Sequence, residues 1–278
     1  MIKKIFCPTD FSAAANNAVN YAAKLAEALK AELVLMNIYQ VPLSHTGIMG
    51  EAISNDPHEN PQAASKALEE KCNAIKSIYN IKASFEVDFT TGSLAKSITH
   101  DADGETLIVM GTGGLQYVSD FFFGTNTYRV IKQAKCPVLL IPENSTYKGL
   151  SNVVYAITYE EKGQEALKPF EEFMRPFESQ ITFLHITEHN TEMSNDVFKA
   201  EKSEIEDIFK SKLDKLSFEM KYSNSIRGDL EEFATKKGAD MLVMAARHRS
   251  LMDILFKKEA IISDLSDIPT FPVLVFHS

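Results

Sequence analysis

The 278-residue chain predicts two consecutive α/β units, each an open sheet of parallel strands. Three observations lead there. Short apolar runs alternate with segments whose apolar residues recur at helical spacing. One stretch, Glu105 to Pro142, carries the order strand, glycine loop, helix, strand. The element order of the first half then returns in the second, as an internal duplication would produce.

Ile2 to Cys7 reads as the first strand, ending at Pro8-Thr9-Asp10-Phe11-Ser12. Ser12 or Asp10 is placed to cap the helix that follows. That helix carries Val19, Ala22, Ala26 and Leu29 on one stripe, with Asn16, Asn20, Lys24 and Lys30 elsewhere. Glu32 to Tyr39 is the second strand, and the crossover length implies parallel pairing. Gln40 to Pro61 is irregular, with five Pro and Gly residues and two histidines, His45 and His58, that have no partner pattern. A loop of that length covers a site or is a surface excursion. A helix resumes from Gln62 to Tyr79, with Leu68, Cys72, Ile75 and Tyr79 aligned. Ala83, Phe85, Val87 and Phe89 then alternate with Ser84, Glu86 and Asp88, as in a strand with one wet face at a sheet edge. Gly92 and Ser93 follow, near the site or simply forming a turn and cap before a short helix through Leu94 and Ile98.

The stretch from Glu105 carries the most chemistry. Leu107 to Met110 is a buried strand. Gly111, Thr112, Gly113 and Gly114 come next, then Gly124 and Thr125, then a helix with Val130, Ile131 and Ala134, then the strand Val138 to Ile141. Glycines let consecutive N–H groups converge on an anion, and a helix start adds free donors. Gly111, Gly114, Gly124 and Thr125 would line such a cradle. Tight turns after a strand need the same residues, and spacing alone does not choose. Asp10 lies at the carboxyl end of the first strand, where open α/β sheets bind ligands. It is placed either to accept from a base amine or ribose hydroxyl or to cap the helix.

Residues 1–142 form the first expected domain, 143–150 a polar linker and 151–278 the second domain. In the second domain the chemistry is altered. Ala245, His248, Lys258 and Glu259 fall at the places of Gly111, Gly114, Gly124 and Thr125, and Thr158 at that of Asp10. Added side chains would fill a cradle, and Glu259 would oppose phosphate. Arg247, His248, Arg249, Lys257 and Lys258 read best as a solvated basic face.

A formal charge of -9 and the lack of a basic run with interleaved aromatics argue against nucleic acid. No apolar run is long enough for a membrane span, and Met1 to Phe6 lacks the apolar region of a signal peptide. Cys7, Cys72 and Cys136 lie far apart among apolar neighbours, as buried thiols in a reducing cytoplasm would. No metal site is expected from them.

With these residues in view, the chain resembles a tandem universal stress protein over nearly its whole length. Gly111, Gly114, Gly124 and Thr125 match the ATP-binding branch of that family: Gly, two residues, Gly, nine residues, Gly, then Ser or Thr. Pro8-Thr9-Asp10-Phe11-Ser12 matches the family's opening. The resemblance implies two Rossmann-like domains, each a five-stranded parallel sheet of order 3-2-1-4-5 flanked by helices. It implies ATP as ligand, with Mg2+ as the accompanying ion. Asp10 would stand near the adenosine, Val41 beside the adenine, and Thr112, Gly113 and Asn126 at or near the phosphates. The second copy departs at every motif glycine, so no site carries over to it. Related copies pair through their final strands, here Val138 to Ile141 and Val273 to Phe276, which implies intramolecular pairing and allows a further homodimer.

The function expected is that of a cytoplasmic stress-response protein binding ATP in its first domain as a regulatory or structural ligand. No Gly-Lys-Ser/Thr P-loop is present, so the lysine that reaches terminal phosphates is missing and little or no hydrolysis is expected. A nucleotide-independent scaffold and a slow ATPase are the alternatives. No Gly-x-Ser-x-Gly elbow supports a serine hydrolase.

Overall fold

The computed structural model describes residues 1–40, 56–58, 60–112, 125–157, 164–187, 192–222, 226–245 and 271–277. The chain divides into two compact units with the boundary between Tyr147 and Lys148.

The first unit contains β1 (Lys4–Pro8), α1 (Ala13–Leu29), β2 (Glu32–Gln40), α2 (Pro61–Ile78), β3 (Ala83–Thr90), α3 (Leu94–Thr99), β4 (Thr106–Thr112), α4 (Thr125–Gln133) and β5 (Val138–Pro142). Its sheet order is β3-β2-β1-β4-β5, and every pair is parallel. Each parallel neighbour needs a crossover, and right-handed crossovers put α1 and α2 on the face opposite α4. The strand order reverses direction between β1 and β4, so a crevice opens there at the carboxyl edge.

The local reasons for these elements are visible residue by residue. The predicted stripe Val19, Ala22, Ala26 and Leu29 is buried, joined by Ala14, Ala15, Ala18 and Ala23. So many alanines let the α1 backbone lie close to the sheet. Lys30 ends α1 in the left-handed region, at φ 56°, with its N–H shared between Ala26 O and Glu27 O. Pro61 opens α2 at a position where its missing N–H costs nothing, behind an Asn60 cap that accepts from Gln62 N at 3.0 Å. Tyr79, expected on the helix stripe, is instead its extended C-terminal cap. Ser93 caps α3. β3 is the edge strand, as its alternation predicted. Its last apolar residue, Phe89, is half exposed against the Tyr39 ring. β4 runs two residues beyond the Met110 at which the apolar run stops. Gly111 and Thr112 belong to the ladder, paired with Ile141 and Pro142. Beyond β5, Asn17 Nδ2 donates to Pro142 O at 2.9 Å and Ser145 O at 2.7 Å, and Tyr147 packs edge-on against Tyr21. The first residues after β5 therefore lie on α1.

The second unit contains β6 (Asn152–Ile157), α5 (Gln164–Met174), β7 (Gln180–Thr187), α6 (Glu192–Ile208), a 3-10 turn at Lys210–Lys215, β8 (Leu216–Tyr222), α7 (Ile226–Lys236), β9 (Met241–Ala245) and β10 (Val273–Phe276). Its order is β8-β7-β6-β9-β10, again all parallel, so both units are Rossmann-like with the arrangement 3-2-1-4-5. Its core is aromatic. Phe170 lies 4.9 Å from Tyr155, 5.8 Å from Phe209 and 6.0 Å from Phe276, centroid to centroid. Lys212 caps the carboxyl end of α5, its ammonium donating to Met174 O at 2.8 Å and Phe177 O at 2.6 Å.

Candidate functional site at the switch point of the first sheet

β1 and β4 are hydrogen-bonded neighbours, with Phe6 opposite Ile108, so their carboxyl ends open onto one crevice. Asp10 follows β1 there, and Gly111 and Thr112 end β4 there.

The β1–α1 turn is tightly specified. Thr9 is buried; its N–H donates to Met36 O at 2.8 Å, and its carbonyl accepts from Asn37 Nδ2 at 2.9 Å. Asp10 is exposed, and its Oδ1 accepts from Ser12 N at 3.0 Å. Phe11 stands at φ 62°, a left-handed geometry that is costly for a bulky side chain. Its N–H donates to Thr9 Oγ1 at 3.1 Å, and its carbonyl accepts from Asn16 Nδ2 at 2.8 Å. Of the two candidate caps, Ser12 performs the task, accepting from Ala15 N at 3.2 Å. Asp10 closes a turn onto Ser12 instead of capping the helix.

Gly111 has a specific steric reason. A Cβ there would lie 2.4 Å from Ala14 O and 2.8 Å from Ala15 N, so the first turn of α1 rests on the end of β4. The bare Cα serves this close approach and brings the β1 loop beside the β4 loop. Thr112 is buried, and its hydroxyl donates to Ile141 O at 3.3 Å. Thr125 opens α4 and Asn126 follows it, exposed, while Val130 and Ile131 face the core as their spacing predicted. Val41, Gly113, Gly114 and Gly124 lie outside the described residues, as do Thr158, His248, Lys258 and Glu259 of the second half.

The thiol beneath this turn is inert. Burial pushes Cys7 up to about 12, against a smaller opposing pull from the Lys71 charge. Cys136 is likewise pushed up to about 12 by burial, and Cys72 is raised for the same reason. Among the described residues, no group of three or more His, Cys, Asp or Glu side chains could hold a metal ion. No described helix is long and apolar enough to cross a membrane.

Several residues that shape the crevice were not singled out from sequence. Asn37 is the most legible of them, an amide set within the apolar run Leu33 to Ile38. A buried amide in a strand implies a backbone partner, and that partner is Thr9. Asn16 and Lys71 read as surface residues on helices. Their link, Lys71 Nζ to Asn16 Oδ1 at 2.7 Å, needs the packing of α2 beside α1 to be seen.

The first sheet is open and parallel, with a braced polar turn at its topological switch point between β1 and β4. The model of the universal stress protein family matches residues 1–142, and the chain belongs to that family. It is 30% identical over 144 residues to a universal stress protein of Thermus aquaticus, a match covering 51% of this chain and 99% of that one. It is 32% identical over 148 residues to one from Methanocaldococcus jannaschii, covering 51% and 82%. Among solved structures, a universal stress protein from Archaeoglobus fulgidus is similar in fold over 99% of this chain and 98% of its own, with a TM-score of 0.72 at 15% identity.

Proposed function

We propose that the first unit binds ATP at the β1–β4 crevice as a regulatory or structural ligand, with little or no hydrolysis, in a cytoplasmic stress-response protein. The observation that carries this reading is the contact at Gly111. The α1 backbone pressed onto the end of β4 sets the Asp10 turn beside the strand that leads into the glycine spacing Gly111, Gly114, Gly124, Thr125. Asp10 accepts from the sugar or base, and Val41 borders the adenine. Thr112, Gly113, Gly114, Thr125 and Asn126 lie along the phosphates, where a helix start favours an anion. Mg2+ would rest mainly on the nucleotide's own oxygens, since Asp10 is a single carboxylate. Lacking a P-loop lysine, the site has no evident way to stabilise a transferring phosphoryl group.

The second unit is read as a degenerate universal stress protein copy kept for packing. Whole chains form a homodimer, which light scattering of the intact 31.1 kDa chain would reveal as a doubled mass.

Calorimetric titration with ATP, AMP and GTP, with and without magnesium, tests the ligand. Saturable heat with the adenine nucleotides and its loss in Gly114→Arg are expected. A wild-type chain that takes up no nucleotide would overturn the reading.

A further inference from the structure

We infer that Lys71 and Asn16 are positioning residues that orient the Asp10 carboxylate through the left-handed backbone of Phe11. The inference rests on the reading of the β1–β4 crevice as a nucleotide site. Phe11 stands at φ 62°, where a glycine would sit freely and a phenylalanine does not. Such a geometry persists only if the surroundings over-determine it, and here they do. The Phe11 N–H is held by Thr9 Oγ1 at 3.1 Å, and its carbonyl by Asn16 Nδ2 at 2.8 Å. Asn16 cannot turn its amide around, because Lys71 Nζ on α2 donates to its Oδ1 at 2.7 Å. The Phe11 ring meets His58 edge-on at 6.0 Å, which closes the outer side.

The product of this bracing is the direction of Asp10. Its Oδ1 is committed to Ser12 N at 3.0 Å, and Asp10 is otherwise exposed. The second oxygen is therefore left to accept from an O–H or N–H of the ligand. A fixed carboxylate discriminates ligands that carry that donor from those that lack it, whereas a swinging one does not. Neither Asn16 nor Lys71 needs to touch the ligand for this.

The test compares ATP, 2′-deoxy-ATP and inosine triphosphate on wild-type, Asn16→Ala and Lys71→Met chains by calorimetry. In the wild type one analogue, lacking either the hydroxyl or the exocyclic amine, should bind about tenfold more weakly than ATP. The analogue that suffers names the group Asp10 receives. In Asn16→Ala this preference should collapse toward unity, and in Lys71→Met it should fall partway. Equal weakening of all three nucleotides with the preference intact would overturn the inference, as would a wild type without any preference. If no nucleotide binds, the functional reading fails. Amide exchange then still decides the inference: Phe11 and Ser12 N–H should exchange at least about tenfold faster in Asn16→Ala, and unchanged rates refute the brace. Both substitutions lie on helices and suit helical structure, and circular dichroism checks that the fold is kept.

Discussion

The two units share a strand order and differ in what fills the layer between sheet and first helix. Register makes the comparison residue by residue. Ile108 is flanked by Phe6 and Val138, and Leu242 by Val154 and Val273, so these are equivalent positions. Three residues on, Gly111 corresponds to Ala245. In the first unit α1 meets the sheet through alanines, and its backbone comes near enough to exclude even a methyl at Gly111. In the second unit α5 presents Phe170 and Phe173, and the strand below answers with Tyr155 where the first unit has Cys7. Rings fill that layer of the second unit, and the position of Gly111 there carries the methyl of Ala245. The same register puts His185 where Asn37 stands. Asn37 reaches across to Thr9 O, while His185 turns to Glu201 on α6 at 2.9 Å. In the first unit this strand position braces the turn after β1, and in the second it pairs with a helix carboxylate.

The sharpest way to break the contrast is at the ring cluster. Phe170→Ala should cost about 3–5 kcal/mol in the second unit, because the cavity among Tyr155, Phe183, Phe209 and Phe276 cannot collapse onto an alanine. Urea unfolding followed by near-ultraviolet dichroism would register it, and a loss below about 1 kcal/mol would show that the rings do not carry this layer. Next comes Gly111→Ala, which writes the second unit's residue into the first. With backbone atoms 2.4 Å away, the helix must shift, at about 1–3 kcal/mol or somewhat more. Its mirror, Ala245→Gly, should cost about 0.5–1 kcal/mol through backbone freedom alone. Equal effects from the two changes would erase the distinction drawn here.

A pH-dependent effect separates the units by their thiols, since all three cysteines lie in the first. Cys7 and Cys136 have folded-state values raised from the ordinary 9.0 to about 12, so the neutral thiol belongs to the folded state. Their contribution is complete below pH 9 and is lost as pH climbs from 9 toward 12, because the unfolded chain releases the protons first. At one unit above the ordinary value this amounts to about 1 kcal/mol per thiol. Melting curves of the wild type against a Cys7→Ala/Cys136→Ala pair should therefore converge as pH rises from 8 to 10 (about two pH units, by linkage). Parallel curves would contradict that burial.

Much of this was legible in the chain itself. The alternation of apolar runs and helical stripes set out the two parallel units, because burying one face of each element leaves few other arrangements. The Ala-rich stripe, the edge character of β3 and the carboxyl-edge place of Asp10 could each be read from residue order, since they depend on neighbours a few positions away. The resemblance to the family was carried by a glycine spacing spread over fifteen positions, Gly111 to Thr125, and by the opening Pro8 to Ser12. What residue order did not disclose was why Gly111 is bare. Read as the first loop residue after Met110, it is part of β4 and lies beneath the backbone of Ala14. Nor did it disclose that Phe11 would adopt a glycine's geometry, that Asn16, fixed by Lys71, would hold it there, or that Asn37 would anchor Thr9 beside it. Those facts belong to contacts between segments up to 97 positions apart, Ala14 to Gly111 being the longest, and only packing α1 and α2 against the sheet brings them into range. Local periodicity selects the elements; the distances between them, which decide which atoms have room and which have partners, exist only once the layers close.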